Sequence, residues 1–183
     1  GLRRYASWLS GAGVERGLIG PRETDRIWDR HIANCAALAE LIPPNASVID
    51  IGSGAGLPGL VLALVRPDIS VTLIEPLARR CDFLNEVVAD LGLTVTVLRG
   101  RAEQANVPPA TVVTARAVAP LAKLLGWALP LVAPGGVLLA MKGSSAKQEI
   151  ADAQGILRGR TATVVTCGHG FTEPATTVVS VHS

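Results

Sequence analysis

The segment VIDIGSGAGLPGLVLAL, residues 48–64, constrains the fold most strongly, because it places four glycines within eight residues between two apolar runs. Glycine loses more conformational entropy on folding than any other residue, so such a cluster needs a structural cause. In open parallel sheets, a turn of this kind lies where the first strand passes into its helix and a ligand binds. The segment therefore predicts a strand, a glycine loop at a binding edge, and a helix.

Apolar, β-branched runs alternate with helical patterns along most of the chain. This alternation predicts βαβ units and a mostly parallel sheet with helices on both faces, an α/β Rossmann-like fold. The last two of the seven predicted strands have no helix between them, which favours an antiparallel last strand. Strands are predicted at 47–51, 70–75, 94–98, 111–115, 137–141, 161–166 and 176–181, and helices at 58–65, 77–91, 121–132 and 146–157.

The region before the first strand is predicted to be helical. Apolar residues such as Ile27, Cys35 and Leu38 recur at helical spacing, so residues 21–41 are predicted to form one helix. A chain of 183 residues has the size of one domain. We therefore predict a single domain over residues 1–183, with residues 1–45 as a helical extension packed on it.

Composition excludes several classes of protein. With 49% hydrophobic and 17% charged residues, the chain is typical of a soluble globular protein. No apolar run is long enough to span a bilayer and no secretory signal is evident, so we expect no membrane partner. The three cysteines are widely spaced and form no metal-binding pattern, which predicts free thiols in a reducing cytoplasm and no metal site.

Two ligand classes compete for the glycine loop. GAGLPG at 54–59 matches the dinucleotide pattern GxGxxG, whereas DIGSGAG at 50–56 has an acid before GxGxG. A pyrophosphate needs free amides and positive potential at a helix N-terminus. Pro58 removes one amide and Asp50 adds negative charge, so a cationic ligand is favoured. S-adenosylmethionine, with its ammonium and sulfonium groups, has this character.

Further candidate contacts to S-adenosylmethionine follow from position in the sheet. The glycines at 52, 54 and 56 would let the backbone approach the ligand closely, although a tight packing turn is the alternative. Glu75 ends the second strand, where a carboxylate can bind both ribose hydroxyls; dinucleotide enzymes use the same device. After the third strand, the backbone of Ala102 and Glu103 could contact the adenine, or could simply begin a helix.

Two cations follow the fourth and fifth strands. Arg116 and Lys142 would face the same cleft and could hold a phosphate backbone or an electron-rich base; ordinary surface cations are the alternative. Arginines at 22, 26 and 30 line one helix face, which is more typical of a solvated, salt-bridged surface. His31 shares a face with apolar residues and is interpreted as a partly buried, hydrogen-bonded histidine.

Several motifs of nucleic acid methylation are absent. No Asn/Asp-Pro-Pro-aromatic segment follows the fourth strand, and no Pro-Cys nucleophile is present. These absences favour an acceptor atom that is already nucleophilic at neutral pH and needs positioning rather than deprotonation.

The chain resembles the bacterial ribosomal RNA small subunit methyltransferase G (RsmG/GidB) family. The resemblance runs from about the third residue to the C-terminus, with a shorter N-terminal helical region and shorter segments at 105–111 and 159–161. The segments that carry it are RIWDRHIANC, VIDIGSGAGLPGLVLALVRPD, LIEPLARRCDFLNEV, GRAEQ, ARAVAPLAKLLGWALPLVAPGG and LLAMKG.

The resemblance implies a class I S-adenosylmethionine-dependent methyltransferase that methylates guanine N7 in 16S ribosomal RNA. It implies a cytoplasmic enzyme, expected to be a monomer, whose partner is 16S rRNA or the small ribosomal subunit. Arg116 and Lys142 would be catalytic by positioning the base, with no general base. The cofactor contacts are expected at Asp50, Gly52, Gly54, Gly56, Leu57, Glu75, Ala102, Glu103 and Arg116.

Three other functions stay open at this point. A methyltransferase acting on a small molecule would use the same glycine loop. A dinucleotide-binding oxidoreductase is suggested by the literal GxGxxG pattern and Glu75. An RNA-binding module without catalysis could also retain this fold.

Overall fold

A computed structural model describes all residues, 1–183, and contains one seven-stranded sheet. The strands are β1 (Ser47–Ile51), β2 (Ser70–Glu75), β3 (Val95–Arg99), β4 (Ala110–Arg116), β5 (Val132–Lys142), β6 (Ala162–Cys167) and β7 (Thr176–His182). Their order is β3-β2-β1-β4-β5-β7-β6, and β7 runs antiparallel to both of its neighbours. The neighbouring pairs among β1 to β5 are all parallel, so the predicted fold class is confirmed.

Helices cover both faces of the sheet. The α-helices are α1 (Leu2–Trp8), α2 (Asn34–Ala37), α3 (Gly59–Val65), α4 (Ala78–Leu91), α5 (Leu121–Ala128), α6 (Ala146–Asp152) and α7 (Gln154–Leu157). Successive strand residues point to opposite faces, so Val48 packs with α3 and α4 while Ile49 packs with α5 and α7. The N-terminal helices bury Tyr5 and Ile27 on the first of these faces. No helix combines the length and the hydropathy that a membrane span requires.

The prediction of one regular helix over 21–41 is wrong in detail. That stretch is helical throughout, but it passes from a 3₁₀ helix (Pro21–Arg26) to a π-helix (Ile27–Ala33), then to α2 and to a 3₁₀ helix (Leu38–Leu41). The π-helix buries the sequence neighbours His31 and Ile32 together. Tertiary packing therefore overrides the regular spacing that the sequence suggested.

Other element boundaries differ from prediction by small amounts. The predicted helix over 121–132 ends at Ala128, because Pro130 lacks an amide and the chain continues in a 3₁₀ turn (Leu129–Leu131). The predicted helix over 146–157 is divided at Ala153 into two short helices. β5 starts five residues earlier than predicted, since Val132 pairs with Ala110 beyond a register shift.

Gly59 allows α3 to pack closely against β1 and β2. A Cβ atom at this position would lie 2.3 Å from Leu73 Cδ2 and 2.8 Å from the Asp50 carboxylate. We expect Gly59→Ala to lower the free energy of unfolding by about 1–3 kcal/mol, because the buried neighbours must shift. Denaturant titration followed by circular dichroism measures this change.

Gly126 provides a matched control for that substitution. It also lies in a helix, α5, but a Cβ atom there would meet nothing within 4 Å. Gly126→Ala should raise the free energy of unfolding by about 0.5–1 kcal/mol, since alanine is the better helix former. Equal effects of the two substitutions would contradict the packing role of Gly59.

Candidate functional site at the carboxyl edge of the sheet

The glycine loop lies between β1 and α3, beside the point where strand order reverses between β1 and β4. Ligands of open α/β sheets bind at this switch point, beyond the carboxyl ends of the strands. Gly52, Gly54 and Gly56 all adopt positive φ angles, of 65°, 58° and 99°. The loop therefore needs glycine for its backbone path, as the sequence predicted.

The amides of this loop are almost entirely engaged within the protein. Seven donate to protein acceptors: Gly52 and Ser53 to Ile74 O, Gly54 to Glu75, Gly56 and Leu57 to Ser53 O, Gly59 to Asp50, and Leu60 to Gly56 O. Pro58 has no amide hydrogen, which leaves Ala55 as the single unpartnered amide. Since a diphosphate is held by several free amides, this loop is unsuited to one.

Asp50 is buried beneath the glycine loop and stabilises it through hydrogen bonds. Its carboxylate has no exposed surface, and it accepts hydrogen bonds from the Gly59 amide at 3.1 Å and the Thr114 hydroxyl at 3.0 Å. Burial raises the pKa of Asp50 to about 6, so the group is mainly ionised at neutral pH. Both oxygens serve to anchor α3 and β4 around the loop, and the direct contact of Asp50 with a ligand stays a prediction.

One cavity, the glycine-loop cavity, adjoins the ends of β1, β2 and β3 and has a volume of about 450 Å³. Glu75 is 1% exposed and lies in its wall. The two carboxylate oxygens accept the amides of Gly54 at 2.9 Å and Leu77 at 3.0 Å, with an Arg80 nitrogen at 3.7 Å. These contacts fix a negative charge at the cavity surface.

The other lining residues combine apolar walls with cations. The lining residues are Ile51, Gly52, Ile74, Glu75, Pro76, Leu77, Arg80, Gly100, Arg101, Ala102, Glu103, Ala117, Val118, Lys123 and Trp127. Sequence reasoning missed Lys123 and Trp127, whose ammonium and ring lie 5.1 Å apart on α5. Their spacing of four residues in the sequence indicated that they share a helix face. Their position at the cavity depends on the packing of α5 beside the 3₁₀ helix Ala102–Gln104.

A second cavity, the polar cavity, lies beyond β4 and β5 and has a volume of about 690 Å³. Its walls carry many polar side chains: Arg30, Asn34, Arg116, Lys142, Ser144, Ser145, Glu149, Thr176 and Thr177. Ala117, with a positive φ of 54°, lines both cavities. The two cavities therefore meet at the end of β4.

Arg116 is anchored from the N-terminal helices. One guanidinium nitrogen donates to Cys35 Sγ at 3.1 Å, and the other contacts His31 Nδ1 at 2.6 Å. His31 Nε2 in turn lies 3.1 Å from a Glu23 oxygen. His31 is thus a buried, hydrogen-bonded histidine, and Arg116 is an anchored cation rather than a free surface one. Burial raises the pKa of the Cys35 thiol to about 11, which keeps it protonated.

Lys142 is paired with Glu149 and lies in the wall of the polar cavity. Its ammonium donates to Ala119 O and contacts Glu149, both at 2.7 Å, and the side chain is 10% exposed. Burial acts to raise the pKa of Glu149, but hydrogen bonds from Lys142, the Leu121 amide and Ser145 lower it overall. Glu149 lies on α6, outside any motif, so nothing in the sequence marked it.

Besides Asp50, three more predicted cofactor contacts lie outside the walls of both cavities. A Cβ on Gly56 would lie 2.4 Å from Leu60 Cδ1 and 3.0 Å from Tyr5 Oη, so its missing side chain faces the protein interior. Leu57 is 9% exposed and belongs to the core. Gly54 acts through its amide on Glu75. The three arginines predicted to line one helix face are also placed by the structure. Arg30 lines the polar cavity and pairs with Glu23 at 3.2 Å, whereas Arg22 and Arg26 are exposed.

Solved structures of methyltransferases share this fold. A methyltransferase from Pyrococcus furiosus superimposes with a TM-score of 0.65 at 15% identity, over 82% of this chain and 81% of that protein. A SAM dependent methyltransferase from Aquifex aeolicus gives 0.60 at 18% identity, over 93% and 97%. The fold is thus that of the S-adenosylmethionine-dependent methyltransferases.

Comparison of amino-acid sequences identifies the family to which this chain belongs. A sequence model described as "rRNA small subunit methyltransferase G" (GidB) matches residues 1–170, and the chain belongs to this family. The ribosomal RNA small subunit methyltransferase G of Thermobifida fusca is 58% identical, covering 98% of this chain and 78% of the relative. That of Mycolicibacterium gilvum is 54% identical, covering 97% and 81%. The predicted family resemblance is confirmed.

Proposed function

We propose that this protein transfers a methyl group from S-adenosylmethionine to N7 of a guanine in 16S ribosomal RNA. The observation that carries the choice of cofactor is the engagement of the loop amides, which leaves no cradle for a diphosphate. The loop instead borders a cavity whose wall contains the buried carboxylate of Glu75. This arrangement disfavours the dinucleotide-binding oxidoreductase.

The residues of the glycine-loop cavity suit an adenosine. Glu75 would accept hydrogen bonds from ribose hydroxyls, which are donors, and its position is already fixed by two amides. Apolar surfaces of Ile74, Leu77 and Val118 would contact the adenine, with the backbone of 102–103 at its edge. When bound, S-adenosylmethionine supplies an electrophilic methyl group on a sulfonium.

The polar cavity would hold the guanine. Guanine presents N7 and O6 as acceptors on one edge, so a donor placed at O6 leaves the N7 lone pair available. Arg116 has N–H groups beyond those used by His31 and Cys35, and it is our choice for this contact. Lys142, paired with Glu149, would add to the positive field and fix the cavity wall.

No general base is needed for this acceptor. N7 carries no proton, so catalysis consists of orientation of the lone pair toward the methyl group and of electrostatic balance. The residues present agree with this: Cys35 remains a thiol, and both ring nitrogens of His31 are engaged. We assign Arg116 and Lys142 as positioning groups in this reaction.

The domain organisation, the partner and the oligomeric state of the protein are also part of the proposal. We propose that residues 1–183 act as one domain, with residues 1–45 completing the polar cavity through Arg30 and Asn34. The partner would be 16S rRNA or the small ribosomal subunit, and the enzyme would act in the cytoplasm, where ribosomes are. A monomeric state stays a prediction.

Transfer of radiolabelled methyl groups tests the proposal. Small ribosomal subunits from a strain lacking the corresponding gene, deproteinised 16S rRNA and free guanosine serve as acceptors, and chain cleavage at N7-methylguanine maps the product. We expect label on ribosomal RNA at a single N7 position. Label on guanosine alone would identify a small-molecule methyltransferase, whereas RNA binding without label would identify a non-catalytic module. Calorimetry with S-adenosylmethionine and NAD tests the cofactor separately.

A further inference from the structure

Four side chains form a continuous chain of contacts behind the polar cavity. Glu23 contacts His31 Nε2 at 3.1 Å, His31 Nδ1 contacts Arg116 at 2.6 Å, and Arg116 also contacts Cys35 at 3.1 Å. His31 is buried, and Arg116 ends β4 at the cavity wall. Eighty-five residues of sequence separate His31 from Arg116, so this contact depends on packing of the N-terminal helices against the sheet.

The contacts determine the proton positions on His31. Arginine has five N–H donors and no acceptor, so Nδ1 of His31 must accept and must carry no proton. The remaining ring proton is then on Nε2, which donates to the carboxylate of Glu23. Glu23 therefore selects the tautomer in which His31 can hold Arg116.

We propose that His31 is a positioning residue for methyl transfer: its neutral Nε2–H tautomer, selected by Glu23, holds the Arg116 guanidinium in place at the polar cavity. This role rests on the proposed function, because it assumes that Arg116 contacts the methyl acceptor. Cys35 is a second support, but its thiol is a weaker acceptor than an imidazole nitrogen.

Protonation of His31 would undo this arrangement. An imidazolium has no acceptor for Arg116 and places a second positive charge against the guanidinium. The charged groups that face His31 are Glu23, Arg30 and Arg116. Burial lowers the pKa of His31 and the Arg116 charge lowers it further, although Glu23 opposes this. The neutral ring is therefore the form present at neutral pH, and activity should fall only when the pH drops below this lowered pKa of His31.

Three substitutions of His31 separate positioning from general structural damage. In His31→Asn the amide oxygen can replace Nδ1 as the acceptor and does not titrate. In His31→Gln the amide reaches toward the Nε2 position and Glu23, and His31→Ala removes both contacts. We expect kcat to fall about tenfold in the Gln and Ala variants but no more than about threefold in the Asn variant.

The pH profile distinguishes positioning from a packing role. As the pH falls from about 8 to about 5.5, kcat should decline more steeply in the unmodified enzyme than in His31→Asn, because only the unmodified enzyme can protonate the ring that holds Arg116. Asp50 titrates in the same range and remains in both proteins, so it contributes equally to both profiles. The dissociation constant for S-adenosylmethionine should change less than about twofold, because Glu75 and its neighbours lie in the other cavity.

A matched control and a structural measurement complete the test. His169→Asn makes the same change at an exposed histidine and should leave kcat and its pH profile unaltered. Two-bond ¹H–¹⁵N spectra should show His31 protonated on Nε2 alone at neutral pH. A ring protonated on Nδ1, or equal losses in the Asn and Ala variants of folded protein, would overturn the positioning role. If the unmodified enzyme transfers no label to guanine N7, the proposed function fails, and the role of His31 in methyl transfer fails with it. The ¹H–¹⁵N spectra would still report which tautomer of His31 is present.

Discussion

Glu75→Gln is expected to weaken binding of S-adenosylmethionine by about 100-fold, or about 2.7 kcal/mol. The carboxylate accepts the Gly54 and Leu77 amides with its two oxygens. A glutamine amide has only one oxygen, so its NH₂ group must face one of these N–H donors or turn away from the ligand. Both the ribose contact and the geometry of the glycine loop are then lost. Isothermal titration calorimetry with S-adenosylmethionine measures the change.

Glu86→Gln is the control for Glu75→Gln. Glu86 is also paired with an arginine, Arg16, but both side chains are exposed, at 45% and 39%. Exposed ion pairs contribute about 0–1 kcal/mol to stability, and this one is remote from both cavities. We expect the control to bind S-adenosylmethionine with unchanged affinity. Equal affinities of the Glu75→Gln variant and the unmodified protein would exclude Glu75 from the cofactor site.

Arg116→Lys should lower kcat for methyl transfer by about 100-fold, although it keeps the charge. A guanidinium donates to His31 and Cys35 from separate nitrogens and still presents N–H groups to the polar cavity. A single ammonium cannot reproduce these directions. Single-turnover methylation of small ribosomal subunits measures the chemical step, and calorimetry measures binding of S-adenosylmethionine in the same variant.

The two measurements distinguish between the roles proposed for Arg116. The family resemblance implies a contact with the cofactor as well as with the base, whereas the structure places Arg116 in the polar cavity. A fall in kcat with unchanged cofactor affinity supports the acceptor role alone. Arg16→Lys, at a surface pair in which two guanidinium nitrogens contact Glu86, is the matched control and should change neither quantity. Normal turnover by Arg116→Lys would remove Arg116 from the reaction.

Substitutions in one cavity should have little effect on the function of the other cavity. Glu75 and Arg116 line different cavities, which share Ala117 at the end of β4. The Glu75→Gln and His31 variants therefore report on cofactor affinity and on turnover, respectively. Substitutions at distant sites without shared partners usually have additive effects on free energy. Non-additive effects of Glu75 and His31 substitutions would therefore indicate that β4 transmits a structural change between the two cavities.

The sequence was most informative where the chemistry is local. The order of apolar and glycine-rich segments predicted seven strands, and β1 and β2 have the predicted limits. Glu75 was predicted at the ligand edge because a parallel sheet places the ends of its strands at one edge, and it lines the glycine-loop cavity. Pro58 and Asp50 predicted a loop unlike a diphosphate site, and nearly all amides of this loop donate to acceptors within the protein.

What the sequence by itself determined was therefore the fold class, the sheet edge at which the glycine loop lies, the need of that loop for glycine, and the family. These follow from periodicity, from backbone conformations open to glycine, and from residues close together in the chain. Only the tertiary structure decided the partners of Arg116, the pairing of Lys142 with Glu149, and the inward direction of Gly56. These depend on how separate helices pack on the sheet, and the direction of a side chain there is set by neighbours that no local pattern specifies.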